Sequence, residues 1–292
     1  MWRTIQEYHR PRSLEQALAL RAERPGACFA AGGTDLFVQL GRAPADAPPT
    51  SVISLRAVEE LLGVTTDEES GRTRIGAAVT IAELLAHPLI NDNFPVLAQA
   101  CAVLGSPQIR NVATVGGNLC NASPCADTAP PLLALEARVE LVDPAGGTRE
   151  LPLEEFFTGP GETALAPDEL LGAVLLQRQG DGACGLFLKK RRVRMDLALA
   201  SVAAQVKADG RWCERARLAA GSVAPTPIRL REVERLLEGK EISGQLLLEA
   251  QKLSSRIVAP ISDLRTTEEY RRGVVGVYVR RALDQLFAQE AA

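Results

Sequence analysis

The chain has 292 residues, 46% of them hydrophobic, with 33 lysines and arginines against 36 aspartates and glutamates for a formal net charge of −3. This excludes wholesale disorder, leaves room for two domains or a few subdomains with cores of their own, and gives no overall electrostatic attraction to nucleic acid or an anionic membrane. The opening MWRTIQEYHRPRSLEQ lacks a secretory pattern and no run of eighteen apolar residues occurs, so a cytoplasmic protein without membrane insertion is expected.

In chain order, Ser13 with Gln16 behind it predicts a capped helix from 14 to about 24, which Pro25 and Gly26 end before a small-residue strand over 27–30. The glycine pair Gly32-Gly33 follows. A short helix over 36–40, a proline-rich loop over 43–50 and a strand over 51–54 complete a small α/β unit ending near residue 56. Strands over 64–66 and 73–77 open a second unit, in which Thr80 and Glu83 form a capping box for a helix over 81–86. A helix over 94–104, a second glycine pair, Gly116-Gly117, a strand over 138–142, a hairpin turn over 143–147 and an apolar strand over 170–176 predict a mixed or antiparallel sheet.

Gly180-Asp181-Gly182 marks a boundary. Beyond it, strands over 197–207 and 212–223 are joined by the turn residues Asp209-Gly210, and helices are predicted over 229–238, 243–257 and 266–289, the last with Thr266 and Glu269 as a capping box. Residues 288–292 are expected to fray.

The six cysteines are scattered, and Cys120 and Cys125 have no second pair with which to build a four-thiolate site. Neither a disulfide framework nor a bound metal is expected. With only His9 and His87, a histidine-based triad has little scope, and no catalytic side chain stands out.

The two glycine pairs carry most of the functional signal. A glycine pair after a strand lets the main chain take positive φ and approach a ligand closely, so that successive N–H groups converge on phosphate oxygens. Thr34 adds a hydroxyl. Asp35 is expected to cap the next helix or to hold the loop's own amides, since like charges 4 Å apart repel by about 4 kcal/mol at an effective dielectric of about 20. The same residues also fit an ordinary strand–turn–helix, and they are neither a GxGxxG pattern nor a P-loop. Around Gly116, Gly117 and Asn118, the short polar residues Thr114, Asn121, Ser123 and Asp127 lose little rotamer entropy when ordered by a ligand, and Pro107, Pro124, Pro130 and Pro131 stiffen the segment.

These residues carry a resemblance. Ala30-Ala31-Gly32-Gly33-Thr34-Asp35-Leu36 and Thr114-Val115-Gly116-Gly117-Asn118, followed by Ser123, Pro124 and Asp127, resemble the two FAD-contact segments of the flavoprotein subunits of molybdenum hydroxylases of the xanthine, carbon monoxide and nicotinate dehydrogenase type. Pro167-Asp168-Glu169-Leu170-Leu171 is similar to a further segment of that family, and Lys189, Arg192 and Asp196 match its Lys…Arg…Asp pattern. The resemblance implies an α+β protein with a vanillyl-alcohol-oxidase-like (PCMH-type) FAD-binding fold: two α/β subdomains over 1–56 and 57–178, and a C-terminal antiparallel-sheet-and-helix domain over 183–288.

It further implies that the two glycine segments bind the diphosphate and ribityl parts of non-covalent FAD, with Ser123 beside them. Asp127 would take adenosine or ribityl hydroxyls, and Leu171 and Lys189 would lie near the isoalloxazine. Leu104 stands where the xanthine dehydrogenase branch has an aromatic residue stacked on adenine. The implied partners are a [2Fe-2S] iron-sulfur subunit and a molybdopterin-binding large subunit, in a heterotrimer. Electrons would arrive singly and leave as a pair to NAD+ or oxygen. The basic run Lys189, Lys190, Arg191, Arg192 and Arg194 is otherwise expected to face solvent or a partner, with Arg192 and Asp196 open to a structural pairing. Two other readings stay open: a stand-alone FAD oxidoreductase of the related cell-wall-precursor reductase type, and a flavin-free assembly or scaffold protein of the same fold.

Overall fold

The computed structural model describes residues 5–42, 44 and 50–289, and its three main sheets follow one another along the chain. The first is parallel, in the order Ile5–His9, Thr50–Ser54, Cys28–Ala30, with Val52 and Ile53 of the central strand fully buried. Helix Leu14–Glu23 packs against it. Ser13 Oγ accepts from the Gln16 amide at 3.2 Å, but the Gln16 carboxamide turns to the Arg12 amide (3.0 Å) instead of closing the box on Ser13. Strand Ile5–His9 escapes sequence reading because its residues are mostly exposed and show no apolar alternation. The expected helix after the first glycine pair spans Leu36–Arg42; of the expected loop, residues 43 and 45–49 lie outside the described residues.

The second sheet is antiparallel, in the order Val64–Asp67, Arg72–Gly76, Leu170–Gln177, Arg138–Val142, Thr148–Pro152. Seven of the eight residues of its central strand are buried, hence the continuous apolar run LLGAVLL. Thr80 and Glu83 form the expected reciprocal cap on helix Ile81–Ala86, with bonds of 3.1 and 2.7 Å. Helix Pro95–Val103 packs behind it, and one apolar core runs through the first two sheets. Helices Pro88–Asn93, Pro107–Arg110 and Ala129–Ala134 were not legible as helices. Proline stands in the first turn of each, where its missing N–H costs nothing, so Pro107, Pro130 and Pro131, read as loop stiffeners, belong to helix starts, while Pro124 stays in a turn.

The third sheet runs Ala183–Lys190, Ala200–Asp209, Trp212–Gly221, Ile228–Arg229, all antiparallel, with Lys240–Glu241 added beside Trp212. Its first strand is hidden in the sequence because it ends in the basic run. The strand expected from 197 starts at Ala200. Helices Arg231–Leu237, Gly244–Ile257 and Glu268–Gln289 enclose a second apolar core with this sheet. The last of them is capped one residue later than expected: Thr267 Oγ1 accepts from the Tyr270 amide (3.3 Å), while the Thr266 amide donates to Asp263 (3.2 Å). Residues 290–292 lie outside the described residues. Phe187, Ala203 and Ala219 of the third sheet join the core of the second, which brings the C-terminal part against the glycine segments. No helix among the described residues is long and apolar enough to cross a membrane.

Candidate functional site

Strand Cys28–Ala30 delivers the chain into the first glycine pair. Gly33 sits at φ +71°, where a Cβ is strained. Gly32 has no such φ, but a Cβ on it would run into the Val112 carbonyl and lie 2.8 Å from Ala113 Cα, so glycine is needed where the two segments touch. Among the described residues no acceptor within the chain takes the amides of Gly32, Gly33 or Thr34. Unbonded amides on consecutive residues suit an anion.

The second pair differs. Gly116 and Gly117 lie in the first turn of helix Val115–Cys120, capped by Thr114, whose Oγ1 accepts from the Gly117 amide at 3.0 Å. The Val115 amide donates to Val79 O (3.0 Å), that of Gly116 to Ala77 O (2.9 Å) and that of Asn118 to Thr114 O (3.0 Å). The expectation of a second set of N–H groups open to phosphate is therefore corrected: these amides are already bonded. Val115 is fully buried in the core, and Gly116 is glycine because a Cβ there would lie 2.6 Å from both Cβ and O of Ala77. Only Gly117 faces outward, with its Cβ position 4.0 Å from Ala31 Cβ.

Between the two segments lies a cleft of about 500 Å³. Of the residues singled out in the sequence, it is lined by Ala30 to Leu36, Leu104, Thr114, Gly117, Asn118, Ser123 and Asp127. It also takes in Asn121, one of the short polar residues singled out beside the second pair, Asp196 of the Lys…Arg…Asp pattern, and Gln39, Ile109, Cys125, Met195 and Leu197, which were not singled out. Gln39 Nε2 donates both to Asp35 Oδ2 and to Asn121 Oδ1 (3.3 Å), tying one wall to the other. The Asp35 carboxylate thus engages Gln39 one turn on, in place of the backbone cap expected of it. Asn118 Oδ1 accepts from Thr128 Oγ1 at 2.6 Å, and Ser123 Oγ from the Cys125 amide at 3.2 Å.

A second, apolar cavity of about 170 Å³ shares Phe29, Ala31, Gly117 and Cys120 with the first, so the two form branches of one cleft. Leu55, Leu61, Leu165, Leu170 and Leu171 line it, as does Gly116. Glu169 at its edge is held by Arg149 (2.6 and 2.7 Å), which keeps its carboxyl below the usual range.

Lys189 lines neither branch. Its ammonium lies 2.7 Å from Asp127 Oδ2, both side chains being almost fully buried (3% and 6% exposed), and it also reaches Val103 O at 3.4 Å. Its charge is therefore met by Asp127, and it stands behind the cleft wall. Burial pushes the Asp127 carboxyl above its ordinary value, against the pull of Lys189 and Arg191. Asp127 Oδ1 is buried without a partner, and an orphaned acceptor of this kind costs about 1–3 kcal/mol. Arg192 pairs with Asp196 at 2.7 Å, the structural pairing left open by the sequence. The cleft thus offers unbonded amide donors at one place, a buried carboxylate oxygen at another and an apolar branch between the first two sheets. This donor set fits an elongated ligand with an anionic middle, hydroxyl groups and an apolar ring system.

The family described as the FAD binding domain in molybdopterin dehydrogenase matches residues 3–176, and the CO dehydrogenase flavoprotein C-terminal domain matches residues 186–286. The chain is 34% identical over 283 residues to a xanthine dehydrogenase FAD-binding subunit of Escherichia coli O157:H7, with 96% of each chain covered. It is 30% identical over 284 residues to the carbon monoxide dehydrogenase medium chain of Hydrogenophaga pseudoflava, with 97% of each covered. A solved structure of carbon monoxide dehydrogenase from Hydrogenophaga pseudoflava matches with a TM-score of 0.93 at 29% identity, covering 99% of both chains.

Proposed function

Because this chain belongs to the family of FAD-binding subunits of molybdenum-containing dehydrogenases, and is thus an FAD-binding oxidoreductase subunit, we propose that it works as the electron-transfer flavoprotein of a larger assembly. It takes electrons from the [2Fe-2S] clusters of one partner subunit, while a molybdopterin-binding subunit oxidises the substrate, and it passes them to NAD+ or another acceptor. FAD supplies the redox chemistry that joins one-electron donors to two-electron acceptors. The chain's own residues bind, orient and shield.

In this reading the amides of Gly32, Gly33 and Thr34 hold the diphosphate, and Gly117 leaves room for it opposite Ala31. Asp127 Oδ1 accepts from a ribityl or adenosine hydroxyl, with Lys189 stabilising its ionised form from behind. Leu104 packs at the adenosine end, and the apolar branch with Leu165 and Leu171 takes the isoalloxazine. Residues 1–56 and 57–178 act as the two cofactor-binding subdomains, and 183–288 as the domain that closes the cleft through Met195 to Leu197.

The observation that carries this reading is the meeting of unbonded Gly32–Thr34 amides, an open Gly117 and the orphaned Asp127 Oδ1 around one cleft. Titration of the flavin-free chain is expected to give one FAD per chain, with competition by ADP. In the assembly purified with its partner subunits, substrate should bleach the flavin absorption and NAD+ should restore it. A chain that ignores FAD refutes the assigned site; a bound flavin whose absorption never responds to substrate refutes the electron-transfer role.

A further inference from the structure

Helix Glu268–Gln289 lines neither branch of the cleft, yet it buries the guanidinium of Arg271 to 2% exposure. An arginine cannot discharge itself by deprotonation, so burying one is costly unless its donors meet acceptors. Arg271 Nη1 donates to two carbonyls, Leu199 O at 2.7 Å and Ser222 O at 3.0 Å, Nη2 is ion-paired with Asp263 Oδ2 at 2.9 Å, and Nε is buried without a partner. Asp263 is itself fixed by Arg265 Nε and Nη2 (3.0 and 2.7 Å) and by the amides of Arg265 and Thr266 (2.9 and 3.2 Å). Burial pushes its carboxyl up, but these bonds outweigh burial and hold it well below the usual carboxylate range.

Both carbonyls lead to the cleft. The Leu199 amide donates to Lys190 O at 2.8 Å and closes residues 191–198 into a loop that presents Met195, Asp196 and Leu197 to the cavity. Val193, Met195 and Leu197 in this loop are each more than half exposed (67%, 64% and 52%), so little packing holds it from outside. Ser222 sits at φ +64°, and its amide donates to Pro124 O at 2.7 Å, within a second stretch of cleft lining formed by Ser123 and Cys125 to Asp127. One planar cation therefore grips the backbone behind two separate stretches of the cleft lining. An apolar side chain in its place would leave two buried carbonyls without a donor.

We propose that Arg271 is a positioning residue for the cofactor: through Leu199 and Ser222 it sets the spacing between the Met195–Leu197 loop and the Ser123–Asp127 wall, and so couples FAD retention to the C-terminal part of the chain. The proposal rests on the reading that this cleft holds FAD. Its loss should let the exposed loop move away from Pro124, so that FAD leaves more readily and bound flavin meets solvent.

The test compares Arg271→Met and Arg271→Lys in the full chain, measuring FAD Kd, iodide quenching of bound-flavin fluorescence and thermal unfolding without FAD. Arg271→Met should raise Kd by about tenfold or more and increase quenching. Lysine keeps the charge but lacks the fork, and should fall between methionine and wild type. A merely structural role would lower the melting temperature of the flavin-free chain and leave Kd and quenching alone. If Arg271→Met does not fold, Asp263→Asn is read instead, with a rise in Kd of about threefold expected. Folded variants with Kd within about twofold of wild type and unchanged quenching overturn the proposal alone; a wild-type chain that binds no FAD overturns the cofactor reading and this one with it.

Discussion

The two glycine pairs look alike in sequence and meet at one cleft, but they answer different physical demands. At Gly32-Gly33 the backbone is left open: Gly33 occupies φ +71°, and the amides from Gly32 to Thr34 have no acceptor within the chain among the described residues. At Gly116-Gly117 the backbone is closed: four successive amides are bonded, and Gly116 serves the fit of a short helix against Ala77. Only Gly117 leaves space facing Ala31. A glycine pair beside a ligand can thus mean free donors or merely the absence of side chains, and the hydrogen-bond inventory of the turn decides which.

The sharpest way to break this comparison is to fill the closed pair one residue at a time. Gly116→Val places a side chain on the backbone of Ala77, which cannot give way as a flexible side chain could, and should cost about 3 kcal/mol or more of stability. Thermal unfolding of the flavin-free chain reads this, and a variant that melts like wild type would show that the helix is not packed as described. Gly117→Leu should do the reverse. Its nearest neighbour is the capping Thr114 Oγ1 at 2.9 Å, which must shift, so stability should fall by about the 1 kcal/mol of a lost cap, whereas a leucine in the gap toward Ala31 should weaken FAD binding by about a hundredfold. Equal effects of the two substitutions on affinity would mean that the pair acts as one unit after all.

A third prediction separates amide donors from the carboxylate acceptor. Asp127 has a carboxyl raised above its ordinary 3.8 by burial, and a hydroxyl donated to Oδ1 favours the ionised form. FAD binding should then lower that pKa, so by linkage affinity is full above the raised value and falls as pH drops through it. The amides of Gly32 to Thr34 do not titrate and contribute no such slope. Affinity measured across this window should decline with acid in wild type and flatten in Asp127→Asn; parallel slopes in the two proteins would remove Asp127 from contact with the ligand.

How much of this was legible follows from what the residues do locally. Some caps declare themselves, as at Thr80 and at Ser13, whose Oγ accepts from the Gln16 amide, whereas those at Ser106 and Thr114 do not. So does a strand buried on both faces, such as Leu170–Gln177. Strand Ala183–Lys190 does not, because its half-buried residues show no alternation and its end reads as surface charge. In the cleft, Ala30 to Leu36 could be named because one contiguous turn supplies them all. Met195 and Leu197 arrive at the cleft only through the packing of the third sheet and the loop closed at Leu199, and no local pattern announces them. The bonded state of the Gly116 amide is likewise set by Ala77, a residue far away in sequence.

The smallest expected effect tests the link between the two regions. Gln39 Nε2 bonds Asp35 on the open side and Asn121 on the closed side, the latter at 3.3 Å. Both Gln39 and Asp35 are exposed to water, so these bonds contribute little to folding stability. Their consequence should be electrostatic and local: with its carboxylate drawn to Gln39, Asp35 is kept from the neighbouring amides that would otherwise compete for it. Gln39→Ala frees the carboxylate to fold back onto those amides in place of the diphosphate. We expect FAD affinity to fall by about two- to threefold with an unchanged melting temperature. Adding Asp35→Asn should restore most of it, because the competing charge is then gone. A double variant no better than Gln39→Ala would mean that the bridge acts by spacing the walls, and that the open amides of the first region are selective for phosphate without help from the second.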